Sequence, residues 1–204
     1  MATIIIGFKT DFEETSQVMI NLESPIAEHE HIWIWDHYFS LVLHRLSNNA
    51  ENAQQLLDQM SEWAIGFANK MYSPVNELHA EGALYIDKSI GIASSPTNST
   101  IGLDDVILIE TTGDEGAWPS VHVKIADNTS AEKLLTSAIA LGHYFLKNNT
   151  NFFRELPMHV LGMRKFYTDE MSFTSEQSIS EAPAYAFNLA LKFYQDLDEK
   201  MQRQ

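Results

Sequence analysis

The sequence predicts an α+β fold, with a largely antiparallel sheet of about five strands packed with a long helical hairpin and C-terminal helices. Three observations carry this. Segments with strand character cluster as an early pair and a middle trio instead of alternating with helices. Two long helical segments are separated by only three residues, Ser47-Asn48-Asn49. The last third of the chain has helical periodicity almost throughout. The 204 residues, 45% hydrophobic and 11% aromatic, supply enough apolar material for one domain spanning residues 1–204, with no staple required.

The first two strands are expected at Thr3–Lys9 and Gln17–Glu23, around the acidic turn Asp11–Glu14. In the second, Val18, Ile20 and Leu22 alternate with Met19 and Asn21. Ser24-Pro25 has the form of a helix start, an N-cap followed by a first-turn proline, so a helix is expected over 25–47. A second helix is expected over Ala50–Met71, with Leu56, Leu57, Met60, Trp63, Ala64, Phe67 and Met71 on one narrow arc. So short a connection predicts that the two pack as an antiparallel hairpin.

Ser73-Pro74 repeats the helix-start pattern for a short helix ended by Gly82. Strands are then expected at Leu84–Ile92, Val106–Glu110 and Val121–Ile125, the first two linked by the polar loop Ser94–Asp104. Thr129 and Glu132 have capping-box spacing and predict a helix to about Lys147. Asn148–Asn151 interrupts it, and Pro157 starts or kinks a further helix. Thr168–Glu181 reads as a loop before a last helix over Pro183–Met201, with Phe187, Ala190, Leu191, Tyr194 and Leu197 inward.

Composition closes off several functional classes. With no cysteine, there is no disulfide framework, thiolate metal site or cysteine nucleophile. A net charge of −15 argues against a nucleic-acid partner, because that binding depends on clustered Lys and Arg. No apolar run approaches the roughly 20 residues of a membrane span, so no membrane association is expected. The N-terminus lacks signal-peptide form, and a cytoplasmic location is expected. Phosphate-binding glycine loops, GxSxG and HExxH are all absent.

The charge is uneven. Residues 1–120 hold 18 acidic and 4 basic residues, a net of −14, against −1 for 121–204. One face of the molecule should be strongly negative and able to steer a basic partner. Between 143 and 167 the balance is locally positive, with Lys147, Arg154, Arg164 and Lys165 against Glu155. Pairing with the acidic first part of the chain accounts for it most economically.

Chemistry concentrates in Glu28–Leu46, which holds four of the eight histidines and two of the four tryptophans. At 100° per residue its apolar side chains fill an arc of about 200°. The opposite stripe carries His29, Glu30, Trp33, Asp36, His37, Ser40 and His44. Trp33 is the only large apolar residue there, with His29 and His37 one turn away on either side, a contact-surface pattern. Glu28 and His31 have di-iron spacing but no second such pair exists, and His37 and His44 lie roughly 10 Å apart, too far to share an ion. Glu77, His79 and Glu81 would converge only if extended, and a helix there splits them. No metal or other cofactor is expected. His143 and His159 sit among apolar residues and read as core or boundary histidines.

The turn Gly113–Pro119 adds two acids and a tryptophan at a hairpin tip. The leading expectation is a non-enzymatic protein-binding module. It presents an acidic, aromatic-anchored surface to a basic protein partner through Trp33, His37, His44, Asp104, Asp105, Asp114, Glu115 and Trp118. Its general character of a small, acidic, cysteine-free chain without catalytic motifs is that of toxin-neutralising immunity proteins, an analogy of class. The alternative is an enzyme or small-ligand-binding protein, metal-dependent hydrolysis included, with its site on the His/Asp/Trp stripe. Homodimerisation through Trp33 is a third expectation.

Overall fold

Four strands, β1 (Ala2–Thr10), β2 (Ser16–Leu22), β3 (Asp104–Thr112) and β4 (Ser120–Lys124), pair antiparallel in the order β2-β1-β3-β4. The computed structural model describes residues 2–10, 16–47, 53–58, 60–62, 104–113, 118–169 and 172–202. Four helices complete these elements: α1 (Glu30–Leu46), α2 (Ala131–Asn148), α3 (Thr150–Asp169) and α4 (Ser178–Gln202). The α+β architecture is therefore as expected, with four strands among the described residues instead of about five. The expected strand at 84–92 and the short helix after Ser73-Pro74 lie outside the described residues. Of the second hairpin helix, 53–58 and 60–62 are helical.

Register fixes which side chains enter the core. Ile4 stands opposite Leu22 and Ile109, Ile6 opposite Ile20 and Ile107, and Ile109 opposite Val123. Because side chains alternate along a strand, these residues share one face with Val18 and Phe8. That face is buried against the helices. On the opposite face Lys124 pairs with Glu110 at 2.7 Å.

Helix α1 lies at the centre, in contact with α2, α3, α4 and β4. Its apolar arc, Ile32, Ile34, Trp35, Tyr38, Phe39, Val42 and Leu43, is buried as the periodicity predicts. Close approach of α2 depends on Gly142, where a Cβ would stand 2.9 Å from Trp35 Nε1. That indole N–H donates to the Ala138 carbonyl at 3.2 Å. The packing of α3 on α4 depends likewise on Gly162, where a Cβ would fall 2.8 Å from Ala186 Cα.

Four helix starts differ from expectation. Helix α1 begins at Glu30, with 27–29 as a turn, and Ser24-Pro25 lies outside it. The Glu28 carbonyl accepts from Asn149 Nδ2 at 2.7 Å, a tertiary partner, and the His31 side chain bonds the Ile26 carbonyl locally, so both carbonyls that an earlier helix would use are engaged. In α2 the cap is Ser130, whose Oγ accepts from the Lys133 N–H, whereas Thr129 Oγ1 is buried without a partner. The starts expected at Pro157, to begin or kink a helix, and at Pro183, to open the last one, also shift. Both prolines sit inside continuous helices. In α4, Ala182, Ala186 and Ala190 form the buried stripe, while Leu191 is 47% exposed.

Candidate functional site

The polar stripe of α1 is covered in three places, by residues of α3, α4, the loop before α4 and the β3–β4 connection. At its C-terminal end, His44 Nδ1 bonds the Phe173 carbonyl at 2.9 Å, in the loop before α4. In the middle, Ser40 Oγ donates to the Ser178 carbonyl at 3.0 Å and shares a 2.8 Å bond with the Tyr167 hydroxyl. Toward the N-terminal end, Trp118 and Pro119, just before β4, lie against the helix. There the Trp33 indole N–H donates to the Pro119 carbonyl at 2.9 Å.

That placement brings together residues the sequence had separated. Trp33 and Trp118 have ring centroids 5.5 Å apart, and Phe187 of α4 lies 4.9 Å from Trp118 and 5.8 Å from Trp33. Tilted and edge-on contacts at these distances are favourable for π-systems. His37 packs on Trp33 at 4.3 Å, and His29 meets Trp118 edge-on at 5.7 Å. The result is an aromatic cluster contributed by α1, the β3–β4 hairpin and α4. Trp118 remains 44% exposed at its surface.

Beneath the cluster lies a buried acid–base pair. His159 Nδ1 and Asp36 Oδ2 are 2.5 Å apart, with Asp36 0% and His159 3% exposed. Burial raises the Asp36 pKa, and His159 opposes that only in part. Burial alone would depress His159, but the Asp36 charge and hydrogen bond outweigh it and hold it above the usual range. The pair therefore keeps a proton between Nδ1 and Oδ2. Asp36 Oδ1 has no hydrogen-bond partner among the described residues. The rim adds Glu155, one helical turn before His159, whose pKa is raised by burial and opposed by His159.

His37 is a half-buried histidine of the cluster. Its Nδ1 sits 2.9 Å from the Trp33 carbonyl, so it carries the proton there. Burial lowers its pKa, against the Trp33 carbonyl and Asp36, and the ring is neutral with Nε2 as an acceptor. His31 is different. Burial lowers it to about 4, its ring stacks on Phe145 at 4.3 Å, and it takes no part in the cluster.

Of the eight residues singled out in the sequence, Trp33, His37 and Trp118 converge. His44 stands apart, eleven residues and about 16 Å along the helix from Trp33. Asp104 and Asp105 begin β3, and their side chains, like Asp114 and Glu115, lie outside the described residues. Sequence reasoning passed over Glu155 and Phe187 as site residues. The available signal was Glu155 and His159 at one-turn spacing on an otherwise apolar helix face. Arg164 of the basic segment pairs with Asp58 at 3.3 Å, in line with the economical account of its charge.

Among the described residues, no group of three or more His, Asp and Glu side chains is placed to hold a metal ion, and no helix is long and apolar enough to cross a membrane. No protein-family model matches the chain, and neither a curated protein nor a solved structure matches it.

Proposed function

We propose that this chain is a protein-binding module whose contact surface is the Trp33–Trp118–Phe187 cluster, presented to a basic protein partner. The observation that carries the reading is the exposure of Trp118 on top of two further aromatic rings. Interface hot spots are enriched in tryptophan, and a ring already held by neighbours loses little freedom on binding. The negative balance of residues 1–120 supplies long-range attraction for a basic protein. The analogy of class with toxin-neutralising immunity proteins belongs to this same reading.

A second reading, an acid–base site on the α1 stripe, is favoured by the direct Asp36–His159 bond. Orientation of a histidine by a carboxylate is a common catalytic device. Against it stands the enclosure of both groups, which leaves His37 Nε2 as the reachable base.

The test is affinity capture from native lysate on the immobilised full chain at low salt, comparing wild type with Trp118→Ala. The reading expects a basic protein retained by wild type, released by high salt and lost with W118A. Equal retention by W118A would overturn it.

A further inference from the structure

Resting on that reading of the cluster, we infer that the contact surface continues from Trp118 along α4 to Leu191 and Asp198, and that this strip takes an amphipathic helix of the basic partner. Apolar side chains of the incoming helix cover Trp118 and Leu191. A lysine or arginine further along it meets the Asp198 carboxylate.

The register of α1 on α4 places the strip. Ser40 Oγ bonds the Ser178 carbonyl and the Trp33 ring lies 5.8 Å from Phe187, so the two helices run antiparallel. One turn before Trp33, His29 therefore comes level with Leu191, which follows Phe187 by one turn on the same face of α4. Trp118 is held between these two levels, 5.5 Å from Trp33, 4.9 Å from Phe187 and 5.7 Å from His29. It borders α4 on the Leu191 side of Phe187.

Trp118, Leu191 and Phe193 are the exposed large apolar side chains among the described residues. Two of them belong to this one strip, joined by the half-buried Phe187. Apolar side chains exposed singly are ordinary, whereas contiguous ones mark contact surfaces. Phe193 stands apart, because two residues past Leu191 at 100° per residue bring it to the opposite side of α4.

Charge and spacing select the occupant. Asp198 is exposed on the same face of α4, about 10 Å beyond Leu191. Among the described residues no lysine or arginine pairs with it. Anchors one turn apart, followed by a charge two turns further along the same helix edge, match the repeat of a second helix laid beside α4. The cation on that helix answers both Asp198 and the net −14 of residues 1–120, a field that attracts a basic partner and repels a second copy of this chain.

The experiment follows the fluorescence anisotropy of a dye-labelled leucine–lysine peptide, LKKLLKLLKKLLKL, titrated with the full chain. Its counterparts are the same residues in an order that scatters leucine round the helix, and the parent order with glutamate for every lysine. Saturable binding is expected for the parent peptide, about tenfold weaker for the scattered order and none for the glutamate peptide. Leu191→Ser and Trp118→Ala should each weaken the parent peptide by about tenfold, and Asp198→Asn by about threefold. Phe193→Ser, which alters a comparably exposed side chain off the strip, should bind as wild type does. The peptide comparison on wild type decides the helix even where a variant folds poorly. No binding of the parent peptide, or scattered binding equal to it, overturns the helix. Leu191→Ser binding like wild type, or Phe193→Ser losing as much as Leu191→Ser, overturns the strip. A dimer of the chain alone in sedimentation, dispersed by Leu191→Ser, assigns the strip to a second copy and overturns the partner helix. If the peptides fail while W118A still abolishes partner capture, the strip is wrong and the contact surface stands. Capture unaffected by W118A removes the contact surface itself.

Discussion

Replacing Asp36 by alanine should be among the most destabilising single changes in this chain, and replacing it by asparagine far milder. Asp36 is fully enclosed and its hydrogen-bond partner among the described residues is His159 at 2.5 Å, itself 3% exposed. Alanine leaves the imidazole Nδ1 buried without an acceptor. Breaking a buried pair from one side costs about 3–5 kcal/mol. At roughly 2–4 °C per kcal/mol for a chain of this size, the melting temperature falls by about 6–20 °C. Asparagine keeps an acceptor for Nδ1–H and loses only the charge, so about 1–2 kcal/mol is expected.

The pH dependence has a definite sign. His159 in the folded protein has a pKa above its ordinary 6.5, so its pairing contributes fully below pH 6.5 and is lost as pH rises through the folded value. Asp36 is raised as well and acts in the same direction. The stability gap between wild type and Asp36→Asn should therefore narrow from pH 6 toward pH 9. Urea unfolding followed by circular dichroism measures both quantities. Equal losses for alanine and asparagine, or a gap that widens at alkaline pH, would refute the buried-pair reasoning.

Gly162→Ala should cost about 1–3 kcal/mol and exceed Gly142→Ala, because its Cβ meets Ala186 backbone while the Gly142 Cβ meets an indole edge; thermal melts of both variants check the order. His31 has a folded pKa of about 4, so its contribution is present above pH 6.5 and lost as pH falls toward 4. The stability gap between wild type and His31→Leu should shrink by about 2 kcal/mol between pH 7 and pH 5, read from urea midpoints. Trp118→Ala should cost only about 1–2 kcal/mol, since the ring is half exposed, and a loss near that of a core tryptophan would contradict its surface role.

What could be read from sequence was what depends on neighbours along the chain. The inward residues of α1 follow from 3.6-residue periodicity, and the inner face of β2 from alternation, and both are as expected. What could not be read depends on residues more than eighty positions away. The α1 stripe has the polarity of a solvent face, yet Asp36 and Ser40 are fully enclosed, because His159, Tyr167 and the Ser178 carbonyl supply their hydrogen bonds. A helical wheel registers the polar atoms and is blind to partners arriving from other helices. The late start of α1 has the same origin, since Asn149 takes the Glu28 carbonyl. Trp33 and Trp118 were each legible as an aromatic anchor. Their contact was not, because it depends on how the start of β4 is set against α1.

The most direct test of the contact surface is site-specific photo-crosslinking in native lysate. A benzoylphenylalanine replaces Trp118 in one chain and Asp127 in another. Asp127 is 98% exposed and pairs with Arg45 near the far end of α1, about 18 Å from Trp33 along the helix. A crosslink to a basic protein is expected from position 118, competed away by unlabelled wild type, and none from position 127. Equal products from both positions, or a product at 118 that wild type does not displace, would contradict it.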